Sequence, residues 1–152
     1  MTTQGREETT PRLFSIAEVN AMIPTLSAMV AEQLREQSKI EQGLAELTQL
    51  TGTPPRTLET RPGDGGEVDR LKRDLRDRVR RYEEGWEHIQ TLGCVVKDPQ
   101  IGLVDFYGRI DGRTVWLCWR YGEDSIGYYH DLDSGYAGRR PLTPDLRRTL
   151  LN

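Results

Sequence analysis

Residues 103–122, LVDFYGRIDGRTVWLCWRYG, carry the pattern from which the fold of this chain is read. Asp111-Gly112 is a favoured two-residue hairpin turn, because its left-handed backbone matches the twist of the strands it joins. The flanking runs, Leu103 to Ile110 and Arg113 to Tyr121, have the alternation of half-buried strands. So short a turn fixes the pairing. Phe106 faces Leu117, Val104 faces Trp119 and Gly108 faces Val115 on one apolar face. Asp105 opposite Cys118, Tyr107 opposite Trp116 and Leu103 opposite Arg120 form a second, semi-polar face, the usual antiparallel arrangement.

Further strands flank this hairpin. Cys94 to Lys97 is a short candidate stopped by Asp98-Pro99, and Ser125 to Asp131 follows the turn at Gly122-Glu123-Asp124. The face on which His130 lies depends on that second connection. An even turn puts it with Val115 and Leu117, an odd one with Asp105, Trp116 and Arg120. Gly135 and Gly138 mark irregular backbone, and Thr143-Pro144-Asp145 reads as a helix start in a C-terminal tail, residues 143–152.

Upstream the period changes from two to 3.6. Ser15 with Glu18 is a capping box, and Phe14 and Val19 can staple it. Ile16, Val19, Ile23, Leu26, Val30 and Leu34, then Ile40, Leu44 and Leu47, mark one face of a helix over about 15–50. Pro24 either kinks this helix or ends a short one and opens a longer one; the second reading is preferred. Three prolines and four glycines make residues 51–66 a loop with a mobile tip. Val68, Leu71, Leu75, Val79, Tyr82, Trp86 and Ile89 stripe a second helix, about 67–92, with Gly93 as its left-handed cap. The fold class is α+β: a long antiparallel helical hairpin, then a small antiparallel sheet of three to four strands over residues 94–131. We expect one domain, residues 13–142, after a disordered leader, residues 1–12.

The 152 residues are enough for one domain with a real core. A net charge of −3 argues against broad attraction to nucleic acid or an anionic membrane. The arginines of the second helix alternate with acids four residues apart, as on a solvated face, so we expect no nucleic-acid partner. No apolar run approaches the ~20 residues that span a bilayer, and the N-terminus lacks a signal-peptide core. The expected location is the cytoplasm. Cys94 and Cys118 have no metal-ligand spacing and read as small, reduced, buried hydrophobes.

Several segments together resemble a known family of bacterial proteins, the domain of unknown function 2203. They are Phe14-Ser15 with Glu18, Asn20 and Pro24; Leu92-Gly93-Cys94 with Lys97-Asp98-Pro99; and Gly102-Leu103-Val104-Asp105-Phe106. Leu117-Cys118-Trp119, His130 and Gly135-Tyr136-Ala137-Gly138-Arg139 complete the set. The resemblance spans Phe14 to Leu142 and implies a fold but no activity.

The residues with chemistry to offer are Asp105, Arg120, His130, Asp131, Asp133, Arg139 and Arg140. Histidine near carboxylates can move protons, and paired arginines can fork onto a carboxylate or phosphate. No Ser or Cys stands in a nucleophile's context, and the run His130-Asp131-Leu132-Asp133 is too local to close a metal shell, so no metal or cofactor is expected. A helix over 15–50 would be about 54 Å long, against a radius of gyration of about 15 Å for a compact domain of this size. The hairpin must therefore project, and its stripe needs cover. The reading we prefer is a non-enzymatic, self-associating module: a homo-oligomer, dimeric through Leu71, Leu75, Val79 and Tyr82, or an arm for another protein. The alternative is a binding protein or enzyme for a small anionic ligand, held by Asp105, Arg120, His130, Asp133, Arg139 and Arg140.

Overall fold

The computed structural model describes residues 11–146. The expected leader therefore lies outside the described residues except for residues 11–12, and so does the tail beyond residue 146. At the start of that tail the Leu146 N–H donates to Thr143 Oγ1 at 3.3 Å, the cap expected there.

The first helix, α1, is Ile16–Thr51. Its capping box is complete: the Glu18 N–H donates to Ser15 Oγ and the Ser15 N–H to Glu18 Oε1, both at 3.1 Å. The preferred reading of Pro24 is corrected, since α1 runs through it without a break. Pro24 points to solvent, while Ile23 and Leu26 beside it are buried. Asn20, whose carbonyl loses its helical donor to the proline ring, is anchored by its side chain, which accepts from the Ile126 N–H at 2.8 Å. Tertiary packing holds the turn that local preference would open.

Helix α2, Gly65–Gln90, returns antiparallel to α1. Leu75 packs at Gly43, Gln33 Nε2 donates to the Tyr82 carbonyl at 2.6 Å, and Arg78 pairs with Glu36 at 2.9 Å. The loop expected to have a mobile tip is tied to α2 by Lys72. Its buried ammonium donates to the Glu59 carbonyl at 3.1 Å and to Asp64 at 2.9 Å. Helix α2 ends at Gln90 with Thr91, in right-handed backbone, as its cap, so Gly93 is not the cap expected of it. Gly93 does have left-handed backbone, φ 104°, and a side chain there would run into the Phe14 ring.

Five antiparallel strands follow in sequence order: β1 Val95–Asp98, β2 Leu103–Ile110, β3 Arg113–Arg120, β4 Tyr128–Asp131 and β5 Arg140–Pro141. The expected count of three to four is corrected to five. A two-residue edge strand ending in proline has no periodicity to read, and β5 exists because it pairs with Tyr128 and Tyr129. The β2–β3 register is the one the turn imposed, with Asp111 and Gly112 both at positive φ.

The core lies between the apolar sheet face and the proximal half of the hairpin. Val104, Phe106, Leu117 and Trp119 meet Ile16, Val19, Ile23, Leu26 and Val30 of α1 and Trp86 and Ile89 of α2. Its outer members on the helices are Leu34 and Tyr82, beyond which the hairpin continues as an arm. Among the described residues, no helix is long and apolar enough to cross a membrane.

Candidate functional site

The strand alternation that buries Phe106 and Leu117 turns Asp105 and Cys118 to the opposite face of the sheet. Strand β4 then sets His130 against Trp116 and Tyr128 against Cys118. The connection is thus the odd one, and His130 joins Asp105. Its Nε2 lies 2.7 Å from Asp105 Oδ2 and its Nδ1 is 3.0 Å from the Asp131 carbonyl. With Cys118 these groups form a compact set, the potential donor atoms all within 4.8 Å of one another.

This face is not the half-wet surface that alternation suggests. Asp105 and Cys118 are fully buried and His130 is 2% exposed. The cover is cationic and aromatic. Lys97 Nζ sits 3.9 Å above the Trp116 ring. The Arg139 guanidinium lies 3.9 Å from the Tyr128 ring and 4.5 Å from that of Tyr136, and Glu123 Oε1 accepts from it at 3.1 Å. A short 3-10 turn, Tyr136–Gly138, delivers Arg139 to this position.

Burial dominates the electrostatics. It raises the Asp105 pKa above the carboxylate range, with the charge and hydrogen bond of His130 opposing it. Burial and then the Asp105 charge push the Cys118 thiol up to about 12, with Arg139 opposing. Asp105 Oδ1 is buried with no conventional hydrogen-bond partner among the described residues, and the weakly donating Cys118 thiol lies beside the carboxyl. The proton inventory follows from the acceptors. A carbonyl can only accept, so Nδ1 of His130 carries hydrogen; Nε2 then faces a carboxyl oxygen, and the contact needs a hydrogen between them. A proton shared by Asp105 and His130 meets that need.

The other expected site residues divide. Arg139 joins the cluster's cover. Arg120 stands at its rim, donating to Tyr136 Oη at 3.2 Å. Arg140 and Asp131 pair with each other at 2.8 Å, and Asp131 also meets Arg113 at 3.4 Å; alternation places Asp131 on the face opposite His130. Asp133 is exposed beside a shallow depression with Arg113, Thr114 and Leu132. The local run from His130 to Asp133 is therefore split between faces, and a different trio converges. Cys118, Lys97 and Glu123 went unnamed as site residues, although the Asp111-Gly112 turn already set Cys118 opposite Asp105.

On the arm, Leu75 is buried between the helices, while Leu71, Val79 and Tyr82 are half-buried. Val79 and Tyr82, with Ile40 and Pro99, line a cleft of about 360 Å³ rimmed by Gln37, Glu41 and Glu83.

A family model described as "Uncharacterized conserved protein (DUF2203)" matches residues 12–142. No curated protein and no solved structure matches the chain.

Proposed function

Because the chain belongs to the DUF2203 family, whose description assigns no activity, its role must be argued from its shape, and we propose that it is a self-associating interaction module whose arm pairs with the arm of a second copy. The observation that carries this is the cleft of Ile40, Val79, Tyr82 and Pro99, which lies beside the arm and opens to solvent in the single chain. The arm beyond Leu34 and Tyr82 adds nothing to the core of the head, so its length is explained by what it touches.

Charge favours a copy as the occupant. Glu83 rims the cleft, and Arg76, seven residues earlier on α2, is exposed on the same side two turns away. A two-fold antiparallel pairing brings Glu83 of one arm to Arg76 of the other, burying both apolar clefts in a four-helix bundle. The sequence-based alternative, an anionic ligand on His130 and Arg139, has less support. Glu123 and two tyrosine rings already engage Arg139, and Asp131 engages Arg140.

Light scattering tests the proposal. The wild type should run as a dimer at tens of micromolar, and Val79→Asp as a monomer with its helical circular dichroism retained. Arg76→Glu should weaken the dimer and the double exchange R76E/E83R should restore it. A wild type that stays monomeric across that range would sink the reading.

A further inference from the structure

We propose that Asp105, Cys118 and His130 form a binding site for one divalent transition-metal ion of the zinc class, with a carboxylate oxygen, the thiolate sulfur and Nε2 as its ligands. The three side chains stand on neighbouring strands β2, β3 and β4, whose register is fixed by the hairpin turn and the β4 pairing. Their donor set, one O, one S and one N, suits zinc and its neighbours.

Two observations point to an ion beyond the mere presence of such residues. The first is the orientation of His130. Its Nδ1 is tied to the Asp131 carbonyl at 3.0 Å, which reserves the Nε2 lone pair for the interior of the cluster. Zinc-binding histidines are oriented in this way, by a carbonyl or carboxylate on the far nitrogen. The second is Asp105 Oδ1, fully buried and without a conventional hydrogen-bond partner among the described residues. A proton shared between Asp105 and His130 accounts for that pair. It leaves Oδ1 with no stronger partner than the weakly donating thiol of Cys118. A divalent cation would engage the carboxylate, the thiolate and the imidazole together.

The charges balance. Binding displaces the proton held between Asp105 and His130 and the thiol proton of Cys118, and two protons leave as a 2+ ion enters. Metal, carboxylate, thiolate and neutral imidazole sum to zero, and Arg139 with Glu123 beside them is already neutral. The geometry needs side-chain adjustment, closing donor pairs now as far as 4.8 Å apart by up to about 1 Å and opening the shortest one. Tetrahedral ligands with bonds of ~2.0–2.3 Å stand about 3.3–3.8 Å apart. The 2.7 Å contact between Asp105 and His130 therefore opens by roughly half an ångström. Three protein ligands leave a fourth position for water or another small ligand, under the Arg139 cover.

The test uses the whole chain, reduced and stripped of metal, titrated with cobalt(II) and with zinc. We expect one ion per chain and a thiolate-to-cobalt charge-transfer band in the near ultraviolet. Cys118→Ser should abolish that band and weaken binding on the order of a hundredfold or more, while Cys94→Ser leaves both unchanged. Zinc-edge X-ray absorption on the unmodified protein needs no variant to fold, and should show one sulfur and the rest nitrogen or oxygen. A band that survives in Cys118→Ser, a zinc shell without sulfur, or no binding by the reduced protein would each overturn the site.

Discussion

Gly43 lies where α1 passes Leu75 of α2, and a methyl group there would overlap the leucine side chain. Leu75 is 2% exposed, so it has nowhere to retreat. Gly43→Ala gains about 1 kcal/mol of helix propensity but overpacks the seam by roughly 1–3 kcal/mol. We expect a net loss of stability in urea unfolding; a gain would show that the helices can part there freely. Cys94 makes a residue-scale prediction about pH. Burial raises its pKa from 9.0 to about 11. A raised pKa means its contribution to stability is whole below pH 9 and is lost as pH climbs toward 11, where the unfolded chain ionises and the folded one resists. Cys94→Ala should flatten that alkaline limb, read from thermal midpoints between pH 8 and pH 11. At this scale the sequence was legible wherever strand alternation or a turn fixed a neighbour, as with Asp105 and Cys118. It was silent on cover. Nothing in the spacing of Glu123 and Arg139 says that they will join Lys97 of β1 in roofing one face of the sheet, because segments that follow no period bring them there.

Element boundaries show where local rules hold and where they yield. Ser15 starts α1 as its capping box dictates, and Ser15→Ala should cost about 1 kcal/mol. At Pro24 the local rule yields, because buried neighbours on both sides hold the helix together. The inter-helix loop is a third case. Its prolines and glycines announce a loop, but nothing in them reports that Lys72, a residue of the basic helix, turns inward to tie it down. Lys72→Met keeps the aliphatic stem and removes the ammonium. Trypsin should then cut after Arg56 about tenfold faster or more, as ~1.4 kcal/mol in local opening implies. Equal rates would mean that the loop holds itself. The hydrogen bond from Lys72, and then that from the Arg61 N–H, keeps the Asp64 pKa below its usual 3.8. A depressed carboxylate stabilises above its ordinary pKa and ceases to do so as pH falls through the lowered value. The tie should therefore persist at neutral pH and release in strong acid.

Taken whole, the molecule is a head with an arm, and the two meet at about Leu34 and Tyr82. The class and the length of the hairpin were legible because helical stripes and a two-residue turn are strong local signals. The fifth strand and the buried polar face were not, because they arise from tertiary closure. If head and arm are energetically separate, the arm can be shortened without loss of the head. Removing residues 38–44 from α1 and 74–80 from α2 takes seven facing residues from each helix. The two stripes then stay in phase, and the arm shortens by about 10 Å. The cut removes Ile40 and Val79 from the cleft while leaving all three tryptophans, Trp86, Trp116 and Trp119, in the buried head. The shortened chain should keep the near-ultraviolet circular dichroism of those tryptophans and run as a monomer. If the tryptophan signal collapses instead, the arm is part of the head's cooperative unit, and its length needs no partner to explain it. If the signal holds and the dimer persists, the association belongs to another surface.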